Sequence, residues 1–185
     1  MTLEDWQRQY DIQESEIKPL IKSTNGKRTA LKELIGEKRA AEACKRYFKD
    51  FKSIKKVATK QEQLDGIDYI VTLKDKSKVN IDLKSCVGDY TTEHAGLMKA
   101  PLELRQNGYF TNINKKTDYF LYIWHNSDGS VRYAFLKYCF VSEVCKRADH
   151  IVCKNRGITP LKFAHYTSNN NSGEYIILNV KAESL

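Results

Sequence analysis

The chain lacks any run approaching the roughly 20 consecutive apolar residues that a membrane-crossing helix requires, so no membrane partner is expected. Its first residues, MTLEDWQRQYDIQESE, carry early acids and no apolar segment of the signal-peptide kind. The expected setting is therefore cytoplasmic, a host cytoplasm if a phage encodes the protein. There is no CxxC. The five cysteines, Cys44, Cys86, Cys139, Cys145 and Cys153, form an odd set that fits reduced thiols better than a disulfide framework. Internal repeats and long low-complexity tracts are also missing, which excludes repeat architectures.

What is present is a chain of 185 residues, expected to fold as a single domain over 1–185, with a net charge of +8. A basic surface attracts phosphate backbones through counterion release, which makes a polyanion the expected partner class. Residues 1–26 carry scattered anchors, Trp6, Tyr10, Ile12 and Ile17, before the breaker Ser23-Thr24-Asn25-Gly26, and predict an N-terminal helical extension. From about Arg28 to Phe51 the residues Leu31, Leu34, Ile35, Ala41, Cys44, Phe48 and Phe51 recur at helical spacing. On this helix Glu42 shares a face with Lys38, Lys45, Arg46 and Lys49, where pairs four residues apart are solvated. Glu37 instead aligns with Ala41, Cys44 and Phe48 at the margin of the apolar face, where a carboxylate needs a partner.

A strand or connector is expected around Ile54 to Ala58. A hairpin follows, in which Tyr69, Val71 and Leu73 alternate with Asp68, Ile70 and Thr72, and Val79, Ile81 and Leu83 alternate with Asn80, Asp82 and Lys84. Both apolar rows share a face only if the turn has odd length. A turn centred on Lys76 meets that condition, setting Asp68 opposite Lys84 and diagonal to Asp82, with all three on one face and Glu37 within metal-binding reach. Leu97 to Gln106 reads as a second helix, stopped by Asn107-Gly108. Tyr119 to Trp124 is apolar without alternation, as in a strand buried on both faces. VRYAFLKY is its returning strand, Phe140 to Arg147 a helix, and EYIILNV a final strand after the Asn-rich turn at 169–173.

A helix glutamate, a strand Asp after Gly-Ile, a hairpin, an Asp-x-Lys and then a helix and buried strand together resemble the PD-(D/E)XK nuclease superfamily. GEKRAAEAC around Glu37 is similar to the first-helix motif of its resolvase-like branches. GID at 66–68 is similar to the first-strand motif without the Pro that names the family, and IDLKS at 81–85 to (D/E)XK with Asp in first place. The resemblance implies an α/β domain with a mixed central sheet flanked by helices, restriction-endonuclease-like, with a catalytic core over roughly 28–137. It implies a Mg²⁺-dependent endodeoxyribonuclease, with Mn²⁺ able to substitute, acting on double-stranded DNA as a homodimer. Glu37, Asp68, Asp82 and the Leu83 carbonyl would hold the metal, since hard oxygen donors select Mg²⁺. Lys84 would orient or deprotonate the attacking water and neutralise charge on the phosphorane.

The residues that could touch nucleic acid are Lys27, Arg28, Lys45, Arg46, Ser85, Arg105, Gln106, Lys154 and Arg156, and Lys49, Lys52, Lys55 and Lys56 add to the basic surface. Cys145, His150, Cys153 and His165 match no standard zinc spacing, so no zinc is expected. His94, His125 and Asn126 lack the framework of an HNH nuclease. The alternative reading is a non-catalytic module of the same fold that binds nucleic acid or protein.

Overall fold

The computed structural model describes residues 2–21, 26–88, 90–91, 97–103, 115–143, 162–168 and 171–185. Helix α1 (Leu3–Gln9) starts at a capping box, with Thr2 accepting from the Asp5 amide and Asp5 accepting from the Thr2 amide. Helix α2 (Glu14–Ile21) leads to α3 (Lys27–Tyr47), which ends where Phe48 turns extended at φ −91°, ψ 105°. The buried face of α3 is Ala30, Leu31, Ile35, Gly36, Ala40, Ala43 and Cys44. So many small residues let the helix lie close on the sheet. Trp6, Tyr10, Ile12 and Ile17 bury against it in one core, so α1 and α2 are an integral layer of that core.

The strands are β1 (Phe51–Lys56), β2 (Tyr69–Leu73), β3 (Lys78–Val87), β4 (Leu97–Glu103), β5 (Tyr119–His125), β6 (Val131–Lys137), β7 (Lys162–Ser168), β8 (Asn171–Lys181) and β9 (Glu183–Ser184), with a short helix α4 (Lys60–Leu64) before β2. Six of them form a mixed sheet in the order β1-β2-β3-β5-β6-β9, with β3 and β5 parallel and the other pairs antiparallel. Its β5 is the expected strand buried on both faces: Phe120 to His125 are all buried, between β3 and β6. No helix among the described residues is long and apolar enough to cross a membrane.

The hairpin of β2 and β3 has an odd turn, but its centre is one residue earlier than expected. Tyr69 pairs with Ile81 and Val71 with Val79, which centres the turn on Asp75. The Leu73 amide donates to the Ser77 carbonyl, the Lys76 amide to the Leu73 carbonyl, and Lys76 takes the left-handed position at φ 72°. Tyr69, Val71, Ile81 and Leu83 still share the face that packs on α3.

On the opposite face the short helical stretch over 138–143 packs beside Phe120 through Val141 and Tyr138. That face is also covered by a three-stranded sheet in the order β4-β8-β7. Residues 97–103, expected to be helical, are strand β4, where Met98, Ala100 and Leu102 alternate inward against Phe120, Tyr122 and Trp124. Pro101 lacks an amide donor and is tolerated because β4 is an edge strand. The two sheets are joined by polar contacts as well, from Tyr122 Oη to the Pro101 carbonyl at 2.8 Å and from Trp124 Nε1 to the Lys99 carbonyl at 2.9 Å. Residues 104–106, the rest of the expected helix, lie outside the described residues. So do 144–147 of the helix expected after β6, which is helical over 138–143.

Gly36 sets the distance between α3 and β3: a Cβ added there would lie 2.9 Å from Ser85 Cβ and 3.1 Å from Leu83 Cδ2. Overpacking of about 1–3 kcal/mol exceeds the helix-propensity gain of about 1 kcal/mol for alanine over glycine. Gly36→Ala is therefore expected to lower unfolding free energy by about 1 kcal/mol in urea titrations. Lys76→Gly has the opposite sign, because relief of a left-handed side chain outweighs the added backbone entropy. It should stabilise by about 0.5–1 kcal/mol in the same measurement.

Candidate functional site

The site is built where β2 begins. Gly66, at φ +78°, carries the chain out of α4, and its carbonyl accepts from Thr117 Oγ1 at 2.5 Å. A side chain at Gly66 would meet Lys115 and Thr117, so this turn also seats Lys115 over the start of the strand. Asp68 follows. Its amide donates to the Ile81 carbonyl at 2.8 Å, although Ile81 is the register partner of Tyr69. Asp68 and Tyr69 thus both stand against Ile81, and the alternation breaks at Asp68. Its Oδ2 accepts from the Leu83 amide at 2.8 Å.

The expected convergence of Asp68, Asp82 and Lys84 on one face is corrected by this break. Asp68 lines a cleft under α3 together with Tyr69, Leu83 and Ser85. Asp82 and Lys84 alternate to the other face, beside Phe120 and Tyr122 of β5. The groups nevertheless feel each other around the end of the sheet. Burial, and next the charge of Asp82, push the Asp68 carboxyl up to about 6, while Lys84 and the Leu83 amide pull the other way.

Asp82 is 4% exposed, and its Oδ1 is 2.5 Å from Lys84 Nζ. Burial works to lower the Lys84 pKa, but Asp82 and then Asp68 outweigh it and hold the ammonium above its ordinary range. Lys115 shifts the opposite way. Its burial lowers it, with Lys84 adding to the effect and Asp82 opposing it. Two lysines thus border the paired carboxylates, one held charged and one easier to deprotonate.

Glu37 lies at the margin of the buried face of α3, as its spacing predicts, but it is held by a lysine. Lys56 Nζ contacts Glu37 Oε1 directly and lies 3.4 Å from Glu33 Oε1. These three side chains line the same cleft as Asp68, a space of about 520 Å³. Among the described residues no group of three His, Cys, Asp or Glu side chains stands at metal-ligand spacing. The expected trio of Glu37, Asp68 and Asp82 is therefore not assembled as one cluster.

The expected nucleic-acid contacts divide. Lys27 pairs with Glu14 at 3.2 Å, and Arg46 pairs with Glu42 at 2.8 Å and donates to the Ser184 carbonyl. Arg28 and Lys45 are exposed, and Ser85 lies under Gly36 in the cleft wall. Arg105, Gln106, Lys154 and Arg156 lie outside the described residues, as do Cys145, His150 and Cys153. His125 is fully buried, bonded through Nδ1 to Tyr10 Oη at 2.7 Å, and burial drives its pKa down to about 3. It is a neutral core group with no place in the cleft. Cys44, Cys86 and Cys139 are free thiols.

Three site residues were missed in the sequence. Glu33 stands four residues before Glu37, a spacing that puts both on one helix face and was open to reading. Lys56 appeared only as part of a basic surface, and nothing local marks Lys115. In comparisons with known proteins, no family model, curated protein or solved structure matches this chain.

The donor set at Asp68 and Asp82 fits a hard divalent cation. Two crowded carboxylates, one of them raised to about 6 by the other and by burial, are what a dication would relieve. In an extended strand a residue's amide and carbonyl point the same way, so the Leu83 carbonyl faces the Asp68 side as well. Glu37 does not complete this set while Lys56 holds it.

The shared charge gives a titration test. Carbon-13 NMR of the side-chain carboxyls should find Asp68 titrating near 6, and Asp82→Asn should move it down toward the ordinary range. Because the folded value is the raised one, the stabilisation is full below about pH 4 and is lost as pH rises through about 6. Asp68→Asn should remove that slope from a stability-versus-pH profile.

Proposed function

We propose that the protein is a Mg²⁺-dependent endonuclease of the PD-(D/E)XK type, acting on double-stranded DNA as a homodimer. The observation that carries this reading is the electrostatic coupling of two carboxylates, half-buried Asp68 and buried Asp82, with a charged lysine, Lys84, at the end of the central hairpin. The mixed sheet with its parallel β3–β5 pair and the long helix α3 on the hairpin support a restriction-endonuclease-like fold.

In this reading Asp68, Asp82 and the Leu83 carbonyl hold the cation, which supplies charge neutralisation and water activation. Lys84, held charged by Asp82, neutralises negative charge developing on the scissile phosphate and orients the attacking water. Its raised pKa favours these roles over proton abstraction. Lys115, shifted the other way, is the better proton acceptor beside the same carboxylates.

The second reading, a binding module without cleavage, is favoured by one specific observation, the neutralisation of Glu37 by Lys56. The two separate cleanly. Plasmid, linear duplex, single-stranded and four-way-junction DNA are incubated with Mg²⁺ or Mn²⁺, and metal-dependent products are expected from at least one. Asp82→Asn and Lys84→Ala should each slow cleavage by about 10²-fold or more while leaving DNA binding in place. Binding without products on every substrate selects the second reading.

A further inference from the structure

Glu33 and Glu37 lie one turn apart on α3 and present their carboxylates to the cleft, where the ammonium of Lys56 sits between them. The space between two such carboxylates is a cation's place, and here the chain's own side chain fills it. Acidic residues near one another do not define a site, but the wall behind these carries an independent sign. Tyr69 is 7% exposed, lines the same cleft, and its buried hydroxyl has no hydrogen-bond partner. The buried hydroxyl of Ser85, also in that wall, has none either.

Buried hydroxyls without partners are rare, and each calls for a species that satisfies it. An anion is a poor candidate, since Glu33, Glu37 and Asp68 all face the cleft. A hydrated divalent cation fits both needs, because it binds carboxylate oxygens while keeping several waters that can bond the hydroxyls.

We propose that Glu33 and Glu37 form a divalent-cation site, separate from Asp68 and Asp82, that Lys56 closes in the free protein. The cation enters as the ammonium withdraws, and Lys56 is then free to meet a substrate phosphate. Only that last step rests on the nuclease reading. Lys56 is thus a positioning residue, acting through the glutamates.

The test is Mn²⁺ binding to the full chain, followed by the electron paramagnetic resonance of free Mn²⁺ in an Asp82→Asn background that weakens the hairpin site. Lys56→Met keeps the aliphatic stem and removes the charge, and it should bind Mn²⁺ about tenfold more tightly than the parent. Lys56→Arg should stay near the parent, and adding Glu33→Gln to Lys56→Met should abolish the gain. Lys56→Gln, checked for folding by circular dichroism, gives a second neutral variant. Parent-like affinity in both neutral variants overturns the proposal, as does a gain that survives Glu33→Gln and Glu37→Gln together. Tightened Mn²⁺ binding in the neutral variants, with no DNA cleavage by the parent chain on any substrate, refutes the nuclease reading and keeps this site; unchanged binding beside metal-dependent cleavage by the parent does the reverse.

Discussion

Two like charges brought near each other at the partly buried end of a sheet are unfavourable unless something cationic joins them, and the electrostatic coupling of Asp68 and Asp82 is of this kind. Neither acid can easily turn away. Asp68 is fixed through its own amide on Ile81 and through its carboxylate on the Leu83 amide, and Asp82 is buried against β5. Lys84 relieves part of the charge. The charge that remains is what a bound divalent cation would relieve.

The rest of the fold serves to hold that corner still. Gly36 brings α3 onto Leu83 and Ser85, which fixes β3 from one side. The β4-β8-β7 sheet closes over Phe120, Tyr122 and Trp124 and fixes β5 from the other. Between them the β3–β5 pair is a rigid platform, while the cleft at the start of β2 stays open to polar species.

Much of this was legible because it depends on periodicity. The 3.6-residue repeat located α3 and put Glu37 at its margin, and the unbroken apolar run located β5. The parity of the hairpin followed from alternation alone. Its centre did not, because the left-handed turn residue is Lys76 and no glycine marks it. The break at Asp68 was equally silent, since it depends on which carbonyl one amide chooses. Leu97–Glu103 was misread because leucine, methionine, alanine and glutamate favour helices, whereas burial of Met98, Ala100 and Leu102 against the other sheet decided for a strand. Lys115 reaches the site through tertiary packing over Gly66, which no local pattern announces.

The central claim is that Asp68 and Asp82 bind a divalent cation together. Paramagnetic broadening of backbone amides by low levels of Mn²⁺ tests it most directly. The account predicts broadening at Asp68, Asp82 and Leu83 that Asp82→Asn removes. Broadening absent from these residues, or unchanged in Asp82→Asn, would contradict it.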